Sequence, residues 1–440
     1  MRRLLAHRDI RVYLAGQLLS LFGDSSLWLA MGIWVKTLTG SNAQAGLVFF
    51  FFTAPSLLAP ASGLLADRVR RRPLLIATNA LTALAVLALL AVSGRGQVWV
   101  VDAVMFGYGL SYGILGPAQS ALLTVMVPAD LLPDANAALR TAQESLRLIG
   151  PLAGAGLFVA VGAHVIAVID AASFAFPVIS LLLLRVREPA PHPASGRWAE
   201  QLSAGARHIW RTVELRHVIV AGAVTTTVFG FAETISYAIA GNGLHRPASF
   251  VGVLAAVTGA GAVTGGLTAA RLVRRLGEGR LIGIAMLVAA AGAALEIPPL
   301  LPAVLAGDVV FGAAIPWLVV GLISLAQRVT PPELQGRVYA AVETLITTPQ
   351  TISIALGAAL ITVTGYQTLL LAMAATIALA GIYLLTRPEQ RQAARRRTRT
   401  AATTSPASQR THTTPVLPGN GHTAGPLDSA GAPSQTAPGT

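Results

Sequence analysis

The sequence predicts an all-α membrane protein of twelve transmembrane helices, arranged as two pseudo-symmetric six-helix bundles. Three observations lead to that expectation. Of the 440 residues, 54% are hydrophobic and 12% charged, with a mean hydropathy of +0.64, where an ordinary soluble domain is about 25% charged. Apolar windows of the ~20 residues a helix needs to cross the hydrocarbon core recur almost without interruption from Val12 to Leu385. Landmark residues also repeat between the first and second halves of the chain at one fixed offset.

Charge clusters, glycines and prolines divide the apolar stretch into windows at 12–35, 44–66, 73–93, 97–126, 135–160, 164–184, 217–240, 247–270, 280–298, 302–327, 339–362 and 366–386. The first follows Arg2, Arg3, Arg8 and Arg11, as a secretion signal would. It lacks a small-residue cleavage site and contains Asp24, so it reads as a retained helix. Between the sixth and seventh windows, Pro189, Pro191 and Pro193 precede a charged stretch from Arg197 to Arg216. That break gives a first bundle at 1–184, a cytoplasmic linker at 185–216 and a second bundle at 217–390. Within the linker, Trp198, Leu202, Ile209 and Trp210 permit an amphipathic helix on the membrane surface, a solvated connection being the alternative. Residues 391–440 are rich in Thr, Ser, Pro, Gly and Ala with little to bury, the composition of a disordered tail.

Basic residues orient the bundle, because Lys and Arg near helix ends stay on the cytoplasmic side. With the N-terminus inside, the outer loops hold only Lys36, Arg95 and Arg246, and the other 29 of the 32 Lys and Arg are cytoplasmic. An even helix count places the C-terminus inside too, where six arginines from Arg387 to Arg399 can meet anionic lipid headgroups. The net charge of +13 is distributed as in membrane loops, which argues against nucleic acid as a partner. Arginine-rich, alanine-rich usage, with Lys36 the only lysine, suits a high-GC bacterial genome and hence a bacterial inner membrane. Cysteine is absent, no histidine lies in the middle of a window, and no phosphate-cradling loop or clustered nucleophile and base occurs. No cofactor, no metal site and no enzymatic activity are therefore expected.

The repeat offset is 203, linking Gly63 with Gly266, Pro128 with Pro331 and Gly154 with Gly357. Around the prolines, Val-Pro-Ala-Asp-Leu from Val127 to Leu131 stands against Thr-Pro-Pro-Glu-Leu from Thr330 to Leu334. Two parallel six-helix halves are the architecture of the major facilitator superfamily. Gly63, Asp67, Arg68, Arg71 and Arg72 resemble that superfamily's signature loop Gly-x-x-x-Asp-Arg/Lys-x-Gly-Arg-Arg/Lys, with Arg70 in place of the second Gly. Gly63 lets helices approach closely and Asp67 can accept from donors of a neighbouring helix, a latch for the cytoplasmic side. In the second half Ala270 replaces the acid beside Arg271, so the matching latch is expected to be degenerate. Arg8, Asp9, Tyr13, Gly16, Gly23, Asp24 and Asn136 resemble the branch containing macrolide-efflux and enterobactin-exporter proteins, a likeness spanning about residues 5–390. Gly150, Pro151 and Gly154 are similar to a fifth-helix motif of drug antiporters, with Leu146 where a Gly is usual. The fourth-helix Arg of many drug/proton antiporters is missing between Gln97 and Val127.

Ionisable groups at mid-membrane cost ~2.5–3.5 kcal/mol on insertion scales, so the few present are candidates for function. Asp24 lies near the middle of the first window beside Gly23, Ser25 and Ser26. A carboxyl there can take up and release a proton, or can pack the helix by bonding to Ser25 or Ser26. Glu233 in the seventh window is the second proton candidate, with the same alternative. Arg140, Glu144 and Arg147 fall at i, i+4 and i+7 on one helix face. Glu144 and Arg147 are candidates for a cavity wall meeting a polar or anionic substrate group, and Arg140 for a gate. Asp170, Asp308 and Glu343 lie one or two turns inside their windows, where side chains reach the interface, and are expected to be structural. Trp28 is deep enough to line a cavity for an apolar ligand, while Trp34 reads as an interface anchor. The resemblance implies a monomeric, alternating-access antiporter of the multidrug or antibiotic-resistance kind, which expels a small hydrophobic compound against incoming protons. A proton-coupled or facilitative importer, and a membrane sensor or assembly partner that moves nothing, are the alternatives.

Overall fold

The computed structural model describes residues 7–58, 69–128, 131–184 and 198–387, and every regular element among them is helical. The helices are α1 (Arg8–Thr39), α2 (Asn42–Thr53), α3 (Arg71–Leu87), α4 (Val98–Met126), α5 (Leu132–Ser173), α6 (Ala175–Leu183) and α7 (Trp198–Arg211). The series continues with α8 (Val213–Phe229), α9 (Phe231–Ala238), α10 (Val251–Leu276), α11 (Glu278–Leu295), α12 (Leu301–Val329), α13 (Gln335–Leu360) and α14 (Tyr366–Thr386). An all-helical chain is what hydrocarbon demands, since a helix satisfies its backbone donors and acceptors without water.

Nine stretches among the described residues are long and apolar enough to cross a membrane. Of the twelve predicted windows, 44–66 and 339–362 are not among the nine, and 135–160 and 164–184 share one, Ile149–Leu183. Each departure has its own cause. Residues 59–68 lie outside the described residues, so α2 is seen only in part. The α13 helix is continuous over 26 residues but carries Gln335, Glu343, Thr347 and Gln350. In α5 the rod is broken at Gly162, whose φ of 77° and ψ of 170° belong to a backbone region open to glycine. The signature residues Gly63, Asp67 and Arg68, the proline-rich part of the linker and the tail at 391–440 also lie outside the described residues.

Helix α7 occupies Trp198–Arg211, and α8 starts at Val213, inside the stretch assigned to the linker. Leu215 is fully buried, so the core begins within the charged segment. On α7, Ile209 is buried, and Gly205 packs against the Arg337 carbonyl and the Ala341 methyl of α13. The amphipathic helix thus lies on the second half.

The repeat is written into the helix limits. Helices α4 and α12 both have 29 residues, and their first and last residues differ by the same 203 (301−98 and 329−126). After each, the proline pair makes the same turn: Leu131 N–H donates to the Pro128 carbonyl at 2.9 Å, and Leu334 N–H to that of Pro331 at 3.0 Å. The glycine pair makes the same close contact. A Cβ on Gly154 would fall 3.0 Å from the Ser26 Cα of α1, and one on Gly357 2.9 Å from the Phe231 Cα at the start of α9. Gly266, by contrast, faces no atom within 4 Å. Ion pairing in the second half is supplied by other residues than the signature pattern would use. Arg328, near the end of α12, pairs with Glu214 of α8 at 2.9 Å and with Glu278 of α11 at 3.4 Å. The two acids sit at helix starts and Arg328 at a helix end, so each also complements its helix dipole.

Two clusters of buried residues, around Met31 and Met105 and around Tyr13 and Leu122, fill the first half, and one around Met286 and Met373 fills the second. A fourth joins the halves through Ile33, Phe49, Tyr237 and Val251. There, Gly32 receives the Tyr237 ring, Gly46 receives Thr234, and Gly252 receives Ala155. Asn42 donates to Asn242 across the same junction at 3.4 Å. These contacts lie at the end of the bundle that carries Lys36, Arg95 and Arg246. The other end, called the basic end below, carries Arg8, Arg11, Arg72, Arg328 and Arg387.

Close helix approach generates a paired prediction. A Cβ on Gly109 of α4 would run into the Phe52 carbonyl of α2, whereas Gly107, half a turn away, faces no atom within 4 Å. Gly109→Leu should destabilise the protein by about 1–3 kcal/mol through overpacking, seen as a lowered melting temperature in detergent. Gly107→Leu should not lower it; equal losses in both would show that α2 and α4 are not packed this way.

Candidate functional site

Asp24 stands at the midpoint of α1 and on the wall of a polar cavity of about 310 Å³ in the first half. Gln17, Ser20, Asn79, Gln119 and Gln143 share that wall, and Gln119 donates to Gln17 at 3.0 Å. The Tyr108 hydroxyl of α4 donates to Asp24 Oδ1 at 2.7 Å. Ser25 and Ser26 do not hold Asp24. Their hydroxyls donate to the Leu21 and Phe22 carbonyls, at 2.7 and 2.9 Å, the usual habit of serine inside a helix.

Beside this pair lies Asp170 of α5, close enough for its charge to act on both Asp24 and Tyr108. It is not at an interface, as its depth in the sequence suggests, but 0% exposed. The Tyr108 hydroxyl that donates to Asp24 also acts on the Asp170 carboxylate, whose oxygens make no other hydrogen bond among the described residues. Gly23 makes the approach possible, since a Cβ there would strike Ser173 Oγ and lie 2.8 Å from Asp170 Oδ1. Gly150 and Gly154 bring the other part of α5 onto Ser25 and Ser26, and the Pro151 carbonyl faces Gly252 of α10. The antiporter-like motif is therefore what seats α5 against the helix bearing Asp24.

A second cavity, of about 630 Å³, lies in the second half between α8, α12 and α13. Its wall is mainly aliphatic, with Phe229, Tyr339, three glutamines and Glu343. Both cavities lie toward the basic end, away from the junction where the halves touch. At the repeat offset of 203, Asp24, Tyr108 and Asp170 correspond to Thr227, Phe311 and Met373 (227−24, 311−108, 373−170), so no acid stands at those positions in the second half, whose own neighbouring acids, Glu296 and Asp308, lie elsewhere.

Over residues 5–412 the chain matches the transmembrane secretion effector family of the major facilitator superfamily (MFS). It belongs to that family. An MFS-type transporter of Bacillus subtilis (strain 168), YfiS, is 25% identical over 374 residues, which make up 80% of this chain and 87% of YfiS. Among solved structures, a bacterial homologue of the iron transporter ferroportin in an inward-facing state is similar with a TM-score of 0.63 at 16% identity, over 86% of this chain and 99% of that one. The nucleoside transporter NupG is similar with a TM-score of 0.65 at 14% identity, over 86% of this chain and 99% of NupG. At such identities the likeness is one of fold. The protein is an MFS transporter rather than an enzyme.

In this transporter the other candidate residues are dispersed. Glu233 is half-buried on α9 near Tyr237 and lines neither cavity. Trp28 packs on Phe49, ring centres 4.7 Å apart, and also lines neither. Arg71 and Arg72 open α3, where Arg72 donates to the Leu182 carbonyl at 3.1 Å, a tie within the first half. Arg140, Glu144 and Arg147 lie on α5, where only their backbone is among the described features. Asp308 accepts from Thr258 at 2.8 Å. Glu343, expected to be structural, faces the larger cavity.

Asp170 and the Tyr108–Asp24 bond should respond to mutation in opposite ways. A buried polar group left short of partners costs about 1–3 kcal/mol, so Asp170→Leu, which keeps the branched shape and leaves the Tyr108 hydroxyl to Asp24 alone, should raise the melting temperature. Tyr108→Phe removes the donor from Asp24 and should lower stability by a similar amount. A fall in melting temperature for Asp170→Leu would show that the contact with Tyr108 outweighs the cost of burying the carboxyl.

Proposed function

We propose that this transporter exports a small, partly apolar compound in exchange for protons, with Asp24 as the carboxyl that takes up and releases the proton. The observation that carries the reading is the place of Asp24: midway along α1, on a polar cavity wall, held by Tyr108 and next to a second buried acid. A carboxyl in low dielectric is favoured neutral when isolated and charged when hydrated or hydrogen-bonded, so a change in cavity access changes its hold on a proton. Asp24 meets the cavity and Glu233 does not, which favours Asp24 for this role.

If the basic end faces the cytoplasm, as the distribution of Lys and Arg favours, both cavities face inward and the halves meet on the outer side. That is the arrangement of a state that loads from the cytoplasm or inner leaflet. Rocking about the glycine-lined junction of α1, α2, α9 and α10 would break Gly32–Tyr237 and Gly46–Thr234 and expose the cavities outward. In this reading the protein works as a monomer in the inner membrane with both termini cytoplasmic, its basic residues near lipid headgroups.

Asp24→Asn keeps an acceptor for the Tyr108 hydroxyl and removes only the proton site. The variant should insert and fold as the native protein does, yet lose transport driven by a proton gradient. In inside-out vesicles, a pH-sensitive dye should report gradient collapse on substrate addition with the native protein and none with the variant. Undiminished collapse with Asp24→Asn would remove Asp24 from the coupling, and substrate-driven acidification of the opposite sign would make the protein an importer.

A further inference from the structure

We propose that the cavity of the second half binds a lipophilic monovalent cation, with Glu343 as its counter-charge and Tyr339 as an aromatic face beside it. This rests on the transporter reading above and names the substrate class of its larger cavity. At about 630 Å³ the cavity has the size of a small-molecule site, which typically spans about 300–1,000 Å³. Among the described residues of its lining Glu343 alone is charged, with no Arg, Lys or His beside it. The nearby Arg328 lies outside the wall, engaged by Glu214 and Glu278.

The stripe on α13 that faces the cavity is Gln335, Tyr339, Glu343, Ile346 and Gln350, at helical spacings of three and four. Tyr339 is 59% exposed and sits one turn before Glu343, so an aromatic face and a carboxylate flank one position. The Glu343 carboxylate is held by only a long contact, accepting from the Thr347 hydroxyl at 3.4 Å. A carboxylate in an apolar wall repels anions. Glu343 is exposed, so a neutral occupant would strip its hydration without recompense, whereas a cation that displaces the same water gains Coulomb energy. A cation whose charge is spread over an apolar skeleton is cheap to strip of water, and a tyrosine face attracts it further. The three glutamines, Gln327, Gln335 and Gln350, supply neutral hydrogen bonds without choosing a sign.

Tetraphenylphosphonium and tetraphenylborate have nearly the same shape and opposite charge, which makes them suitable probes. Binding of each to the purified full-length protein in detergent, without any proton gradient, should favour the phosphonium by at least about tenfold. Glu343→Gln should weaken phosphonium binding by about tenfold and narrow the difference between the probes. Gly222 lines the cavity and a Cβ there meets nothing within 4 Å, so Gly222→Phe should fill the space without a clash and weaken both probes. That second variant tests the location even if Glu343→Gln fails to fold. The proposal is overturned if the native protein does not bind the phosphonium, binds the borate equally well, or binds the phosphonium unchanged in a folded Glu343→Gln or Gly222→Phe variant. Because no gradient is present, such a failure leaves Asp24 coupling standing, and a failure of Asp24 coupling leaves the binding result standing.

Discussion

Hydrocarbon offers no water to backbone or side chain, and most features of this transporter follow from that. The backbone must satisfy itself, which leaves helix as the one regular element among the described residues. Lipid tails are as apolar as leucine, so helices gain little by hiding apolar faces from them and must gain it by touching closely. Glycine permits this: α1 reaches α5 at Gly23, Gly150 and Gly154, and α4 reaches α2 at Gly109. The junction between the halves rests on the same device at Gly32, Gly46 and Gly252. Contacts of this kind are short-ranged and involve few hydrogen bonds, so they can part and re-form as surfaces slide. The same solvent makes each buried polar group expensive, which is why Asp24, Tyr108 and Asp170 gathered in one place call for a functional explanation.

Much of the fold was legible in the sequence because apolar length and repeat offset are one-dimensional signals. The proline turns and the Gly154 and Gly357 contacts show why those landmarks recur, since each is a geometric necessity of one half copied into the other. What the sequence did not reveal was set by neighbours distant along the chain. Asp170 lies only a few residues inside its window, so depth alone suggests a side chain reaching for the interface. In the structure Gly23 of α1 opens a space that takes it inward. Asp24 was legible because its depth is unambiguous, but its partner was not, as Tyr108 is 84 residues away. The serine alternative fails for a local reason that could have been foreseen, the preference of helical serine for the carbonyl four residues back. Glu343 was hidden by the same depth argument, although the spacing of Gln335, Tyr339, Glu343 and Gln350 already marked a polar face on a helix otherwise surrounded by apolar ones.

The two halves share a scaffold and differ in chemistry, and the repeat shows where the difference lies. Several positions that shape turns and helix contacts are retained across the offset of 203, such as Pro128 and Pro331, Gly109 and Gly312, and Gly154 and Gly357, while those of Asp24, Tyr108 and Asp170 are not. Asp24, Tyr108 and Asp170 face Thr227, Phe311 and Met373 across the repeat. Thr227 closes on its own helix through the Val224 carbonyl at 2.6 Å, and Phe311 stacks on Phe229 with ring centres 5.3 Å apart. On the fifth helix of each half the exchange runs the other way in sign, with Arg140 corresponding to Glu343 and Arg147 to Gln350. A rocking cycle needs two halves of like shape so that one motion opens either side. Exchange of a proton for a cation can run by competition at one carboxylate or by coupling between two sites, and the exchange proposed above is of the second kind. Retaining part of the helix contacts while altering the cavity walls is compatible with that proposal. In the proposed exchange the acid pair of the first half would respond to proton access and the apolar cavity of the second half to charge and shape, with the glycine-lined junction as the mechanical link between them.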